Sequence, residues 1–188
     1  GSCEVSNELR QLLKNIEINT KYIITQKDRI TSKKSRIISS QQQVVRFDRE
    51  CTEEISDKSQ GLILSTFQNI LDNYEVILLS DYGKGVLTHN LTCSLISIAN
   101  KNNKKVLIDP KGADYSKYKG AYLLTPNKKE ASEATKIDII DDTTLIKAIT
   151  QLKSECDLNI SLITLSEHGI AFYDNKLSVQ PTIAKEVF

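Results

Sequence analysis

The apolar positions fall into two textures along the chain. Over Ser6 to Ile16, Leu9, Leu12, Leu13 and Ile16 recur at i, i+3, i+4 and i+7, which predicts an amphipathic helix. The runs Arg36-Ile37-Ile38 and Val44-Val45-Arg46-Phe47 flank Ser39-Ser40-Gln41-Gln42-Gln43. They are rich in β-branched residues, polar on one side and not followed by helices, so they predict an antiparallel ribbon. From Ser56 the pattern changes. Helical spacing at Ile63, Phe67, Ile70 and Leu71 leads into Val76-Ile77-Leu78-Leu79, and a helix from Thr88 (Leu91, Leu95, Ile98, Ala99) leads into Val106-Leu107-Ile108. Tyr122-Leu123-Leu124 precedes a short helix from Lys128, and a helix after Asp141 (Leu145, Ile149, Leu152) feeds Ser161-Leu162-Ile163. Short apolar strands alternating with helices predict a doubly wound, mostly parallel α/β sheet covered on both faces. A hairpin turning at Asp174-Asn175 closes one edge, and residues 20–50 contain the small β-appendage.

Composition narrows the function without naming it. The 188 residues fit one domain able to bury a core. With 25 Lys+Arg against 24 Asp+Glu the net charge is +1, so neither nucleic acid nor a membrane surface is expected as a partner. The longest apolar runs have only four residues, as at Val76 to Leu79, too short to span a bilayer. No charged segment followed by an apolar stretch opens the chain, so a cytoplasmic location is expected. Cys3, Cys51, Cys93 and Cys156 are far apart, with no C-x-x-C and no histidine at ligand spacing, which argues against zinc and against a disulfide framework. The seven glycines form neither G-x-x-x-x-G-K-[ST] nor G-x-G-x-x-G.

Ligands of open α/β sheets bind beyond the carboxyl ends of the strands. Those ends read Ser80-Asp81-Tyr82-Gly83-Lys84-Gly85, Asp109-Pro110-Lys111-Gly112, Thr125-Pro126-Asn127-Lys128-Lys129-Glu130 and Thr164-Leu165-Ser166-Glu167-His168-Gly169. The amino ends carry ordinary loop residues such as Asn73, Asn102-Asn103 and Asn159. Polar and backbone-shaping residues therefore gather at one end. Asn127-x-x-Glu130 is compatible with a helix cap, Asn at N-cap and Glu at N3. It also sets an amide and a carboxylate on a helix N-terminus, where anions and their Mg²⁺ are favoured, and both readings can hold together. Gly83 and Gly85 suit turns, while Lys84 between them suits a phosphate. Asp81 and Asp109 are compatible with a turn as much as with a ligand contact. His89 and His168 have no partners in the sequence and read as loop residues.

These blocks, with Thr31-Ser32-x-Lys34-x-Arg36 and Gln42-Gln43-Val44-Val45-Arg46-x-Asp48, resemble in order the PfkB (ribokinase-type) carbohydrate kinases. Within them the resemblance is to D-β-D-heptose 7-phosphate kinases, whether stand-alone or the first domain of the bifunctional heptose enzyme. It implies a ribokinase-like kinase domain that uses ATP and Mg²⁺ to phosphorylate the anomeric hydroxyl of a heptose 7-phosphate, toward ADP-heptose and the lipopolysaccharide core. It implies that Asn127 and Glu130 organise Mg²⁺ and the ATP phosphates, and that Lys111, Ser166 and Gly169 lie by the nucleotide. Asp81, Lys84 and Asp109 would line the sugar cleft. Arg36, Arg46 and Asp48 would belong to a β-lid that covers the sugar and mediates a homodimer. The family's D-[VT]-T-G-A-G-D loop, which holds the catalytic base, would follow Phe188. Residues 1–188 are therefore expected to be one incomplete kinase domain, with no catalytic base of its own and no activity by itself. Two rival readings are a non-catalytic regulatory domain that senses a phosphosugar through Lys84 and Lys111, and a receiver-like domain phosphorylated at Asp81. The receiver needs an acidic pair after its first strand and has no place for the ribbon at 33–47.

Overall fold

The opening amphipathic pattern forms helix α1, Glu4–Asn15, in the computed structural model, which describes residues 1–40 and 42–182. The chain divides into two compact units. Gly1–Phe67 with Lys84–Thr88 form the first, and Gln68–Gly83 with the described residues from His89 onward form the second. In the first unit the apolar stripe of α1 stays open, with Leu12 63% and Ile16 65% exposed. Helical period alone therefore did not mark a buried face.

The expected ribbon is present as β1, Lys33–Ser39, and β2, Gln42–Arg49. They pair antiparallel, with Ser35 opposite Phe47, Arg36 opposite Arg46 and Ile37 opposite Val45. Alternation along the strands puts Lys34, Arg36, Arg46 and Asp48 on one face and Ile37, Val45 and Phe47 on the other. Both faces are largely open, Phe47 being 57% exposed. Arg46 donates to Asp48 Oδ2 at 2.6 Å, which holds the Asp48 carboxyl below the usual carboxylate range. Helix α2, Asp57–Ile70, follows and belongs to this unit as far as Phe67.

The second unit is built on β3 (Val76–Ser80), β4 (Lys105–Asp109), β5 (Leu123–Leu124), β6 (Ile160–Thr164), β7 (Ile170–Tyr173) and β8 (Leu177–Gln180), hydrogen-bonded in that order. The first four strands are parallel, and β7 and β8 add an antiparallel hairpin at the edge. Helix α3, His89–Lys101, joins β3 to β4, and α4 (Lys128–Thr135) and α5 (Asp142–Glu155) join β5 to β6. β4 and β5 are linked by a loop with one 3₁₀ turn at Ser116–Tyr118.

A sheet that grows in one direction through right-handed crossovers carries its helices on one face. Burial follows that rule. Val106, Ile108, Leu124, Ser161, Ile163 and Ala171 are fully covered, together with Leu91, Ala99, Ala148, Ile149 and Leu152 of the helices. On the other face Val76 and Leu78 are 49% and 70% exposed. The cover expected on both faces of the sheet is thus complete on one face over the described residues. Among those residues no helix is long and apolar enough to cross a membrane.

Candidate active site

The second unit brings Asp81, Asp109, Lys111, Asn127, Glu130, Ser166 and Gly169 to the carboxyl ends of β3 to β6. Asn127 opens α4 as its N-cap. Its Oδ1 accepts from the Glu130 amide at 2.9 Å, and Glu130 Oε2 accepts from the Asn127 amide at 3.1 Å. This reciprocal box satisfies two of the helix's open amides. The cap reading of the sequence is therefore realised. Glu130 does more, since its Oε1 also accepts from Lys111 Nζ at 2.8 Å. That contact, and the carboxylate's charge, raise the Lys111 ammonium above its ordinary pKa. Lys111 stays 52% exposed at its side chain and Glu130 15%.

Asn127 is tied to the end of β6, because Thr164 N donates to the Pro126 carbonyl at 2.9 Å. Beyond it lies a hollow of about 460 Å³ lined by Asn127, Lys128, Lys129, Ser132, Ile139 and Ser166, among others. Ser166 stands at φ 53°, a left-handed conformation uncommon for a residue with a side chain. Gly169 closes that turn at φ 92°, its carbonyl accepting from the Leu165 amide at 2.8 Å. A Cβ there would collide with the Gln180 carbonyl, so both conformation and space call for glycine.

Asp81, expected to meet substrate, is turned inward instead. Its side chain is 3% exposed. Oδ1 accepts from the Gly83 amide at 2.7 Å, and Oδ2 accepts from Lys117 Nζ at 2.6 Å and from the Tyr118 hydroxyl at 2.8 Å. Burial alone would raise its pKa, but these donors outweigh it and hold the carboxyl below its ordinary value. Asp109 is exposed, and its carbonyl accepts from the Asp81 amide at 2.9 Å. Lys117 and Tyr118 belong to no motif picked out in the sequence, and only the folded chain reveals their part here.

Lys84, Arg36 and Arg46 lie in the first unit. There Lys84 Nζ pairs with Glu50, and the Lys84 carbonyl accepts from Arg29. Gly85, at φ 70°, passes so close to the Glu53 carbonyl that a Cβ would not fit.

Among the described residues no group of three or more His, Cys, Asp or Glu converges on a metal position. One carboxylate at a helix N-terminus does fit the way Mg²⁺ travels with nucleotides, because that ion takes one or two protein carboxylates and draws its other ligands from phosphates and water.

A family model described as pfkB family carbohydrate kinase matches residues 1–188. Over all 188 residues the chain is 56% identical to the bifunctional protein HldE of Aliarcobacter butzleri and covers 40% of that protein's length. It is 53% identical over 188 residues to the bifunctional protein HldE of Sulfurimonas denitrificans and covers 39% of it. The chain thus spans about two fifths of these relatives. Among solved structures, phosphofructokinase-2 from Escherichia coli in complex with potassium superposes with a TM-score of 0.75 at 16% identity, over 99% of this chain and 60% of that one. Ribokinase from Giardia lamblia gives 0.75 at 13% identity, over 100% and 58%. The structural likeness fixes the ribokinase-like fold, and the sequence match along its full extent places the chain in the pfkB family of carbohydrate kinases.

Proposed function

We propose that the protein containing these residues transfers the γ-phosphoryl group of ATP to the anomeric O1 of D-glycero-D-manno-heptose 7-phosphate. The product would be the 1,7-bisphosphate used for ADP-heptose and the lipopolysaccharide core. The observation that carries the reading is the Asn127–Glu130 box with Lys111 at 2.8 Å, at the carboxyl ends of parallel strands. The match to the HldE proteins supports a sugar kinase, and the resemblance of the motifs to heptose 7-phosphate kinases supports the heptose as its acceptor. Residues 1–188 are read as part of one kinase domain, with the β-lid in residues 20–50.

Phosphoryl transfer asks mainly for positioning and charge compensation. Asn127 and Glu130 orient the phosphate end of the nucleotide at the α4 N-terminus, with Glu130 as the metal-side carboxylate and Lys111 as the balancing cation. Mg²⁺, when bound, neutralises charge on the β- and γ-phosphates. Ser166 and Gly169 shape the turn beside the hollow. Lys84 and Asp109 are assigned to sugar binding, and Arg36 and Arg46 to a lid function of the ribbon. The apolar face of the same ribbon pairs with a second copy in a homodimer. No residue from 1 to 188 is assigned the general base, so these residues alone are expected to bind nucleotide weakly and to turn over no sugar.

The test is sugar-dependent ADP release by the whole protein, with heptose 7-phosphate and fructose 6-phosphate as rival acceptors. The reading expects turnover with the heptose and little with the hexose, and none from the isolated 188 residues. ADP release that ignores the sugar, or prefers the hexose, would refute it.

A further inference from the structure

We propose that Tyr118 and Asp81 are positioning residues that fix Lys111, and through it Glu130, for the nucleotide phosphates. This rests on the phosphate-site reading of Lys111 and Glu130. The connection is continuous within the second unit. The Tyr118 hydroxyl donates to Asp81 Oδ2 at 2.8 Å and accepts from the Lys111 amide at 3.1 Å. Lys117 Nζ, at 2.6 Å from the same Oδ2, holds the carboxylate in its charged form, and the Gly83 amide occupies the other oxygen at 2.7 Å. A carboxylate at the end of β3 thereby fixes the backbone of a loop that leaves β4.

That loop depends on such an anchor. Lys111 follows buried Pro110 and precedes Gly112, which sits at φ 91°, so no regular element holds its backbone. The Lys111 side chain is long and 52% exposed, and its ammonium reaches Glu130 only from where the backbone places it. Tyr118 is suited to the task. It is fully buried, its ring stands edge-on to Tyr115 with centroids 5.5 Å apart, and burial pushes its phenol far above the ordinary range. The hydroxyl therefore remains a donor at any physiological pH.

A purely structural role would affect stability alone; the positioning role predicts a specific loss in nucleotide binding. Tyr118→Phe removes one oxygen and keeps the ring. Losing a hydrogen bond of this kind corresponds to roughly 3- to 10-fold in affinity. MgATP titrated calorimetrically into the whole protein should show that weakening in Tyr118→Phe, and a loss at least as large in Lys111→Met. The double variant should bind no worse than Lys111→Met, because Tyr118 acts through Lys111. Asp81→Asn, which keeps the shape but gives up the charge, should weaken MgATP in the same direction and serves if Tyr118→Phe folds poorly. If Lys111→Met weakens binding while Tyr118→Phe and Asp81→Asn do not, or if the losses multiply independently, the positioning role is overturned and the phosphate site stands. If Lys111→Met and Glu130→Gln both bind MgATP like wild type, the phosphate site itself falls.

Discussion

At the scale of single residues, Asp81 and Glu130 show how two carboxylates at one end of a sheet acquire different tasks. Glu130 divides its oxygens between an amide and a partly exposed lysine in the first turn of α4. Asp81 is closed off and saturated by three donors. Its depressed pKa makes a prediction with a definite sign. The folded form binds the proton more weakly than the unfolded chain does, so the stabilisation is present above the unfolded value of about 3.9 and fades as pH falls through the folded pKa. Urea melts of wild type should lose stability below about pH 4, and Asp81→Asn should lose measurably less over the same range. Parallel acid slopes for the two proteins would show that Asp81 carries no such linkage. The Asn127–Glu130 pair was legible in the sequence because a cap and an anion site demand the same residue types at the same spacing. Lys117 and Tyr118 were not, since they lie 36 and 37 positions from Asp81 and only folding makes them neighbours.

At the scale of elements, period-2 alternation and short apolar runs located the strands of the described residues, because short β-rich apolar runs bounded by turn residues suit strands. Side-chain period could not say which apolar faces would be covered. Leu12 and Ile16 of the α1 stripe and Leu78 of β3 remain open, since coverage is set by connection handedness and by neighbours that period does not encode. The β1–β2 ribbon carries the sharpest prediction at this level. A lone two-stranded ribbon is marginal in water, yet this one presents Ile37, Val45 and Phe47 outward on one face. In the proposed two-fold dimer each copy buries its Phe47 against the other. Burying one such ring contributes about 1.5–3 kcal/mol, and the symmetry counts it twice. Phe47→Asp should therefore weaken dimerisation of the whole protein by about 10²–10⁴-fold. Sedimentation equilibrium reads this directly. An unchanged dimer in Phe47→Asp, or a wild type that is monomeric throughout, would exclude the ribbon as the interface.

At the scale of the whole molecule, seven of the expected site residues reach the carboxyl ends of one sheet from four separate strand ends, and the loop after β4 meets the first turn of α4 in the Lys111–Glu130 contact. The order of the motifs made that convergence legible, because a parallel sheet sends every strand's carboxyl end to the same side. The central claim is that this convergence is where the γ-phosphate is held, with Glu130 as the metal-side carboxylate. The most direct measurement is kcat for sugar-dependent ADP release by the whole protein, wild type against Glu130→Gln, with a thermal melt of each. Glutamine can still accept from the Asn127 amide, so the melt should place stability within ~1 kcal/mol of wild type, the ordinary worth of a cap. Loss of a preorganised charge at the transferred group should lower kcat by about 10²–10³-fold. Wild-type turnover in Glu130→Gln would leave Asn127 and Glu130 as a helix cap and nothing more.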